Sequence, residues 1–207
     1  MKQGLFITFE GADGTGKTTQ IAKIASGMRE QGYEVVCTRE PGGTKAAERI
    51  RELVLDAELA ISHKTETLLY LAARADHIAQ LIKPALQAGK IVLCDRFSDS
   101  TFVYQGSGRG VELEILRMLD DFATSSLHPD LTILLGAEPE ELAIRRNARG
   151  VVDRFELEGL AFQKKIREAF LALAASEPAR IHVIDALQPE EKVTEEILAD
   201  LQRLLVK

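Results

Sequence analysis

The chain has 207 residues, 45% of them hydrophobic, and a formal net charge of -6. A single domain of this length buries about 70% of the surface of its unfolded chain, so it needs no disulfide or metal to fold. The composition excludes a disordered or fibrous protein, and the acidic balance argues against nucleic acid as the main partner. The apolar run that ends at Glu10 is too short for a signal peptide or a membrane-spanning helix. We therefore expect one cytoplasmic domain over residues 1–207 that binds neither nucleic acid nor membranes.

Five short runs rich in β-forming residues alternate along the chain with longer segments of helical period. These runs are LFITFE, EVVCT, KIVLCD, LTILL and IHVID. Such alternation is typical of βαβ units. The sequence therefore predicts an α/β fold in which helices cover both faces of a parallel sheet.

The segments between these runs have apolar residues at helical spacing. One helix is predicted over Thr44 to Leu55 with Ile50, Leu53 and Val54 facing inward, and another begins at Ser62 and bends near Pro84. Further helices are predicted after the first strand up to residue 32, and over residues 113–122, 140–146, 160–175 and 190–205.

The cysteines and histidines lack the spacing of a metal site. Cys37 and Cys94 each lie in a short apolar run, which favours buried, reduced thiols at strand ends. The histidines are scattered, and each is predicted to be a surface or loop residue. They are His63, His77, His128 and His182.

The segment GADGTGKT matches the phosphate-loop pattern GxxxxGK[ST] and lies between a predicted strand and a predicted helix. Its glycines allow backbone N–H groups to face phosphate oxygens, and the helix N-terminus adds the positive end of its dipole. Lys17 is expected to reach the β- and γ-phosphates, and Thr18 to coordinate Mg²⁺. The residues predicted to bind ATP here are Gly11, Ala12, Asp13, Gly14, Thr15, Gly16, Lys17, Thr18 and Thr19.

A phosphate loop alone does not separate a kinase from a switch GTPase or a motor ATPase. No guanine-reading NKxD run follows a later strand, which argues against a GTPase. The run KIVLCDRF offers Asp95 in the place of a motor's acidic residue, but Arg96 follows it at once. At the carboxyl end of a parallel strand, Arg96 lies in the crevice where α/β sheets bind ligands. This position indicates a second anion beside the triphosphate.

A second arginine is predicted at the same edge of the sheet. The Pro-Gly-Gly turn in REPGGT leaves Arg39 near Arg96, and paired guanidiniums suit one phosphate group. The alternative is that Arg39 forms an ion pair with Glu40 or Glu10 and only orders the loop.

Two helical patterns supply groups that suit a base and a sugar. Tyr70 and Arg74 stand four residues apart, so a ring and a guanidinium on one helix face could read a pyrimidine, unless they form an ordinary surface contact. After Arg96 come polar residues at helical spacing, which suit base and sugar edges or serve as caps and surface groups. They are Ser100, Thr101, Tyr104 and Gln105.

The chain resembles the thymidylate kinase (dTMP kinase) family, whose motifs it carries in that family's order and spacing over almost its whole length. These motifs are FEGADGTGKTTQ, REPGGT, the Tyr70/Arg74 helix, DRF followed by SxxxxYQG, and RRNARGVVDRFE. The resemblance implies a P-loop NTPase fold with a five-stranded parallel sheet, a mobile arginine-rich lid at about residues 145–156, and a homodimer. It also implies how dTMP is bound. Its phosphate would be held by Arg39 and Arg96, its base by Tyr70, Arg74 and Thr101, with Asp13 and Tyr104 near the deoxyribose and Gln105 among the substrate-binding residues.

The lid carries four arginines in an otherwise acidic chain. Some members of the family have a basic residue in the phosphate loop, where this chain has Gly14 after Asp13. The resemblance therefore implies the subgroup in which lid arginines supply that charge, with Arg145 and Arg149 on ATP and Arg149 as the catalytic contact. The lid arginines are Arg145, Arg146, Arg149 and Arg154. Phe97 departs from the family, which often has Tyr or His there, and has no predicted role.

The implied reaction transfers the γ-phosphoryl group of MgATP to dTMP, giving dTDP and ADP on the route to dTTP. A phosphate monoester with a second pKa near 6 is already an anion at neutral pH, so no general base is required. The predicted catalytic residues are Lys17, Asp95, Arg96 and Arg149, with Asp95 acting through the water shell of Mg²⁺ or by orienting Arg96. The alternatives are a kinase for another pyrimidine monophosphate, a deoxynucleoside kinase, and a non-enzymatic nucleotide switch.

Overall fold

A five-stranded parallel sheet forms the centre of the protein in a computed structural model that describes residues 4–147 and 158–205, with the backbone alone at 144–147. Its strands are β1 (Leu5–Glu10), β2 (Val35–Arg39), β3 (Ile91–Asp95), β4 (Leu131–Gly136) and β5 (Ile181–Asp185). They lie in the order β2-β3-β1-β4-β5. Each strand corresponds to one predicted run within one residue at either end, and the predicted α/β fold is confirmed.

Helices connect the strands. The α-helices of the described residues are α1 (Lys17–Glu30), α2 (Lys45–Leu55), α3 (His63–His77), α4 (Lys83–Gln87), α5 (Ser98–Thr101), α6 (Leu113–Thr124), α7 (Pro139–Asn147), α8 (Gly159–Ser176) and α9 (Glu190–Leu205). Two π-helical segments, Ile78–Ile82 and Phe102–Gly108, continue α3 and α5. None of the helices described is long and apolar enough to cross a membrane.

Apolar side chains pack on both faces of the sheet. Ile7 of β1 belongs to a cluster with Ile24 of α1 and Ile197 of α9, whereas Phe6 packs with Phe97 on the opposite face. Successive residues of a strand point to opposite faces, so a strand buried on both sides is a continuous apolar run. This burial explains why the central strands β1, β3 and β4 could be recognised from the sequence.

The connections between strands define where a ligand can bind. The chain leaves β1 toward β2 on one side and leaves β3 toward β4 on the other, so the topological switch point lies between β1 and β3. The register pairs Phe9 with Asp95 there. Ligands of open α/β sheets bind in the crevice at this point, beyond the carboxyl ends of the strands. The phosphate loop and Arg96 therefore meet at the same crevice.

Two predicted helix starts are confirmed by their caps. Thr44 accepts a hydrogen bond from the Ala47 amide at 3.1 Å, and Ser62 accepts one from Thr65 at 3.1 Å. Such a cap contributes about 1 kcal/mol. Near Pro84, where the sequence predicts a bend, α3 continues through the π-helical segment, and Pro84 occupies the first turn of α4, where its missing N–H costs little.

Three predictions about burial are wrong. Leu53 is 42% exposed, because α2 packs mainly on α3 and buries Val54 and Ala47 instead. Cys37 is exposed because β2 is an edge strand, while Cys94 is buried as predicted; both thiols are free. His77 is fully buried rather than on the surface, because its ring is hydrogen-bonded on both sides within the α3 packing.

Candidate active site

The phosphate loop curls between β1 and α1. Gly11 has a φ of 127°, and a side chain there would meet the carbonyl oxygen of Leu135 at 2.4 Å, so only glycine fits. The Lys17 ammonium donates to the carbonyl oxygens of Gly11 and Ala12, each at 3.0 Å. Burial, and then the nearby Arg96, lower the pKa of Lys17. A lysine buried beside a curled loop is arranged to receive an anion.

Thr18 and Asp95 lie together at the outer end of this loop. The Thr18 hydroxyl donates to one Asp95 oxygen, Oδ2, at 3.1 Å. The other oxygen, Oδ1, is buried and has no hydrogen-bond partner among the described residues. An unsatisfied buried carboxylate oxygen next to a hydroxyl is suited to a hydrated cation. Within the described ranges, no group of three or more His, Cys, Asp or Glu side chains forms a separate metal site.

A cleft opens beside the phosphate loop and is called the Arg96 cleft. It encloses about 590 Å³ between the protein atoms, part of it open to solvent. The predicted substrate residues that line it are Asp13, Tyr70, Arg74, Arg96, Thr101, Tyr104 and Gln105. They come from the phosphate loop, α3, the β3–α5 turn, α5 and the π-helical segment that follows. The structure thus brings together side chains up to 92 residues apart, from Asp13 to Gln105.

Arg74 forms the innermost charged wall of this cleft. Its side chain is 2% exposed and donates to Glu40 at 2.8 Å and to Asp120 at 2.7 Å. Its guanidinium lies 5.0 Å from the centre of the Phe97 ring. Burial acts to lower the pKa of Arg74, but the two carboxylates outweigh it and raise the pKa. The alternative of an ordinary surface contact is therefore wrong for Arg74.

Phe97, which had no predicted role, supports this wall from behind. It is 1% exposed and packs edge-on against Phe6 of β1, with 4.8 Å between ring centres. The Arg74 guanidinium also lies over the Phe97 ring. The ring thus joins the hydrophobic core to the charged lining of the Arg96 cleft.

Arg96 stands where the phosphate loop and the cleft meet. Its backbone φ is 70°, an uncommon value for a residue with a side chain. Its guanidinium donates to Ser100 at 3.1 Å and to Asp13 at 3.0 Å, and lies 5.2 Å from the ring centre of Tyr104. Burial acts to lower the pKa of Arg96, but Asp13 raises it above the ordinary value. Burial also raises the pKa of Tyr104 to about 12, so the phenol stays protonated at neutral pH.

Arg39 is not among the residues that line this cleft. Its guanidinium donates to Glu48 of α2 at 2.8 Å, and both side chains are substantially exposed. The predicted alternative of an ion pair was right about the kind of contact but wrong about the partner, since neither Glu40 nor Glu10 is involved. Glu48 lies nine residues further along the chain, in α2, so the residues next to Arg39 did not indicate this partner.

Several cleft residues were missed by the sequence reasoning. Arg51 lines the cleft and donates to the carbonyl oxygen of Pro41 at 2.9 Å; burial, and then Arg39, lower its pKa. A signal was available, because Arg51 follows the buried Ala47 by one helical turn. Glu40, also at the cleft, is buried between Arg74 and His77. The lid residues Arg149 and Arg154 lie outside the described residues, as do the side chains of Arg145 and Arg146.

The class of protein follows from where these two sites meet. A phosphate loop that shares its Asp13 with an arginine-lined cleft, at the switch point of a parallel sheet, defines a P-loop phosphotransferase with a small anionic acceptor. Residues 9–197 match the family model described as thymidylate kinase. The chain therefore belongs to the thymidylate kinase family, and the predicted activity, phosphorylation of dTMP by ATP, is confirmed.

Individual relatives agree over nearly the full length. A curated thymidylate kinase of Pseudomonas fluorescens (strain SBW25) is 50% identical over 203 residues, which cover 98% of this chain and 97% of the relative. One of Deinococcus radiodurans is 47% identical over 200 residues, covering 96% and 97%. The crystal structure of thymidylate kinase from Ehrlichia chaffeensis superposes with a TM-score of 0.76 at 35% identity, covering 96% of this chain and 99% of that one.

Proposed function

We propose that the chain binds MgATP on the phosphate loop and dTMP in the Arg96 cleft, and transfers the γ-phosphoryl group between them. The observation that carries the assignment of the two sites is the Arg96–Asp13 contact, at 3.0 Å, between the wall of the cleft and the phosphate loop. A phosphate held by Arg96 would lie next to the end of a triphosphate cradled by residues 11–19. The products are dTDP and ADP.

The acceptor is oriented by the two ends of the cleft. The buried Arg74 and the half-buried Tyr70 at one end suit a pyrimidine, because a fixed guanidinium donates to base carbonyls and a ring stacks on the base face. Thr101 and Gln105 add a hydroxyl and an amide to this end. Arg96 holds the phosphate at the other end, and Arg39 joins it by exchanging Glu48 for a phosphate oxygen.

The chemical step needs position and charge rather than a base. The phosphate of dTMP is an anion at neutral pH, so its oxygen attacks without losing a proton. Lys17 offsets the charge that develops on the transferred group, and its burial strengthens that interaction because little water screens it. The charge of Arg96 keeps the acceptor in line with the donor.

Mg²⁺ fits the pair formed by Thr18 and Asp95. Phosphate-bound Mg²⁺ keeps several waters and takes one or two protein oxygens, and here a hydroxyl and an unsatisfied carboxylate oxygen are adjacent. When bound, the ion would neutralise charge on the β- and γ-phosphates. Asp95 contacts Thr18, whereas the Arg96 guanidinium donates to Ser100 and to Asp13, so we assign Asp95 to the ion.

The lid arginines complete the donor side of the proposal. Arg145 and Arg149 would contact ATP, and Arg149 would act on the transferred group. An arginine delivered in this way contributes about 10³–10⁵ in rate in other phosphoryl-transfer proteins. We expect Arg149→Ala to lower kcat far more than it weakens dTMP binding. Equal loss of both would contradict the role.

The assay that tests the acceptor measures ADP release from MgATP with dTMP, dUMP, ribothymidine monophosphate, dCMP, thymidine or no acceptor. We expect strong turnover with dTMP, less with dUMP and little with the ribonucleotide. The variant Arg74→Lys keeps a charge but loses the paired geometry. We therefore expect it to lose its preference for dTMP over the other acceptors, while its rate of ADP release without an acceptor changes less. Turnover that is independent of any acceptor would refute the proposal.

We also propose that the protein forms a homodimer through α6 and acts in the cytoplasm. The helix exposes Ile115, Met118 and Phe122 at 44%, 63% and 86%, and their spacing puts them on one face. A stripe of this kind on a surface helix is typical of an interface. Phe122→Glu should yield a monomer in sedimentation, whereas Val183→Glu, at a residue 50% exposed on the edge strand β5, should leave the mass unchanged. An unchanged dimer in the Phe122 variant would exclude this face.

A further inference from the structure

Glu10 is a buried carboxylate for which the mechanism above has no use. It is the last residue of β1, directly before the phosphate loop, and is 0% exposed. Its Oε1 accepts the Phe97 amide at 2.7 Å and the Ser100 amide at 3.3 Å, and its Oε2 accepts the Ser100 hydroxyl at 2.6 Å. All three donors belong to the turn and first helical residues that follow β3. Glu10 thus joins the strand before the phosphate loop to the segment that carries Arg96.

The segment held by Glu10 has an unusual backbone. Arg96 adopts a φ of 70°, and its own amide donates to Phe9 of β1 at 2.9 Å. A residue with a side chain stays in this conformation only where its surroundings hold it. The residue after it, Phe97, donates its amide to Glu10. Residues of β1 therefore accept a hydrogen bond from the amide on each side of the Arg96 α-carbon, and both bonds hold its left-handed backbone in place.

The contact extends from the backbone to the guanidinium. A serine hydroxyl has one proton to donate, and at 2.6 Å Ser100 gives it to the Glu10 carboxylate. The lone pairs of the Ser100 oxygen are then left for the Arg96 guanidinium, which donates at 3.1 Å. Asp13 holds another nitrogen of the same guanidinium at 3.0 Å. The direction of the Ser100 hydroxyl thus depends on an acceptor at Glu10.

We propose that Glu10 is a positioning residue for the acceptor: through Ser100 and the Phe97 amide it fixes the Arg96 guanidinium toward the Arg96 cleft. The inference rests on the proposed role of Arg96 in holding the acceptor phosphate. Glu10 is fully buried, so it acts through the segment after β3 rather than by contact with a substrate. Its effect falls on the acceptor side, because its hydrogen bonds all go to the segment after β3.

The test compares Glu10→Gln with Ser100→Ala and a matched control. A glutamine keeps an oxygen for the Phe97 amide, but its NH₂ group faces the Ser100 hydroxyl as a donor, so the hydroxyl proton turns away. Asp130→Asn is the control, because Asp130 also accepts an amide of β1, that of Phe6 at 2.7 Å, at the opposite end of the strand. All are checked for folding by circular dichroism.

Calorimetric titration with dTMP alone, and KM for each substrate, are the measurements, both made about 1.5 pH units above the pKa of about 7 of Glu10, where its carboxylate is ionised. We expect Glu10→Gln to weaken dTMP binding about tenfold and to change KM for ATP by less than about twofold. The double variant with Ser100→Ala should bind dTMP within about twofold of the Ser100→Ala protein, because both changes break one relay. Asp130→Asn should melt at a lower temperature without losing dTMP affinity.

The outcomes separate this inference from the proposed function. If the wild-type protein does not bind dTMP, the proposed function fails. If it binds dTMP and both Glu10→Gln and Ser100→Ala bind it equally well, the role of Glu10 is overturned. Equal losses for dTMP and ATP, or a loss in Asp130→Asn as large as in Glu10→Gln, would also overturn it. Should Glu10→Gln not fold, Glu10→Asp decides, because it keeps the carboxylate but withdraws it from Ser100: selective loss of dTMP affinity supports the inference, and unchanged affinity overturns it.

Discussion

Replacing Arg74 by methionine tests the charged wall of the Arg96 cleft. The change removes the partner of two buried carboxylates, Glu40 and Asp120, while each keeps one weaker neighbour, His77 at 3.1 Å and Ser98 at 2.9 Å. Breaking a buried ion pair on one side costs about 3–5 kcal/mol, because an uncompensated charge stays buried. A domain of this kind is stable by about 5–15 kcal/mol, so we expect loss of about a fifth or more of the free energy of unfolding.

The assay is urea unfolding followed by circular dichroism, with two comparisons. Arg49→Met removes an exposed ion pair with Glu52, whose side chains are 82% and 67% exposed, and should cost less than about 1 kcal/mol. A triple variant that combines Arg74→Met with Glu40→Gln and Asp120→Asn should be more stable than Arg74→Met by at least about 1 kcal/mol, because no charge then lacks a partner. The reasoning is refuted if Arg74→Met costs no more than Arg49→Met, or if the triple variant is less stable than Arg74→Met alone.

Three further changes follow from the same structure. Burial, and then Asp99, raise the pKa of Glu10 from 4.5 to about 7, so the folded protein binds this proton more tightly than the unfolded chain. The stability that this group contributes is present below pH 4.5 and is lost as the pH rises to 7. Over that range the free energy of unfolding of the wild type should fall by up to about 3 kcal/mol relative to that of Glu10→Gln. A difference between the two proteins that stays constant with pH would exclude the shift. Lys17→Met should lower kcat by about 10²–10³ with little change in dTMP affinity, measured by turnover and titration; loss of dTMP affinity to the same degree would argue against its donor role. Phe97→Ala should cost about 3–5 kcal/mol in urea unfolding, and a cost below about 1 kcal/mol would mean that the ring does not support Arg74.

The strands and several helix ends could be predicted because their signals are local. The three central strands β1, β3 and β4 are buried on both faces and therefore appear as apolar runs. Thr44 and Ser62 cap helices through amides only three residues away. The burial of side chains on the edge strand β2 and on α2 could not be predicted in the same way. Cys37 is exposed because β2 has no neighbour on one side, and Leu53 because α2 turns another face to α3. Both depend on how elements pack rather than on their own residues.

The candidate site, too, could be predicted only in part. The meeting of the phosphate loop with Arg96 was predictable, because parallel strands bring their carboxyl ends to one edge. The partners of the charges were not. Arg74 is held by residues 34 positions before it and 46 after it, and Glu10 contacts a turn 87 positions away. Such pairings arise only when the sheet and α3 are in place, and a sequence motif carries no record of them.

The fixed state of Arg74 has a consequence for competitive inhibitors of this protein. A guanidinium already held by two carboxylates loses little motional freedom when a ligand arrives, so a base mimic at that end gains affinity without ordering the protein. The exposed Arg39 at the opposite side must first leave Glu48, and water screens whatever it then contacts. An uncharged compound that fills the Arg74 end should therefore keep most of the attainable affinity, and a phosphate mimic added to it should bring selectivity among anions more than strength.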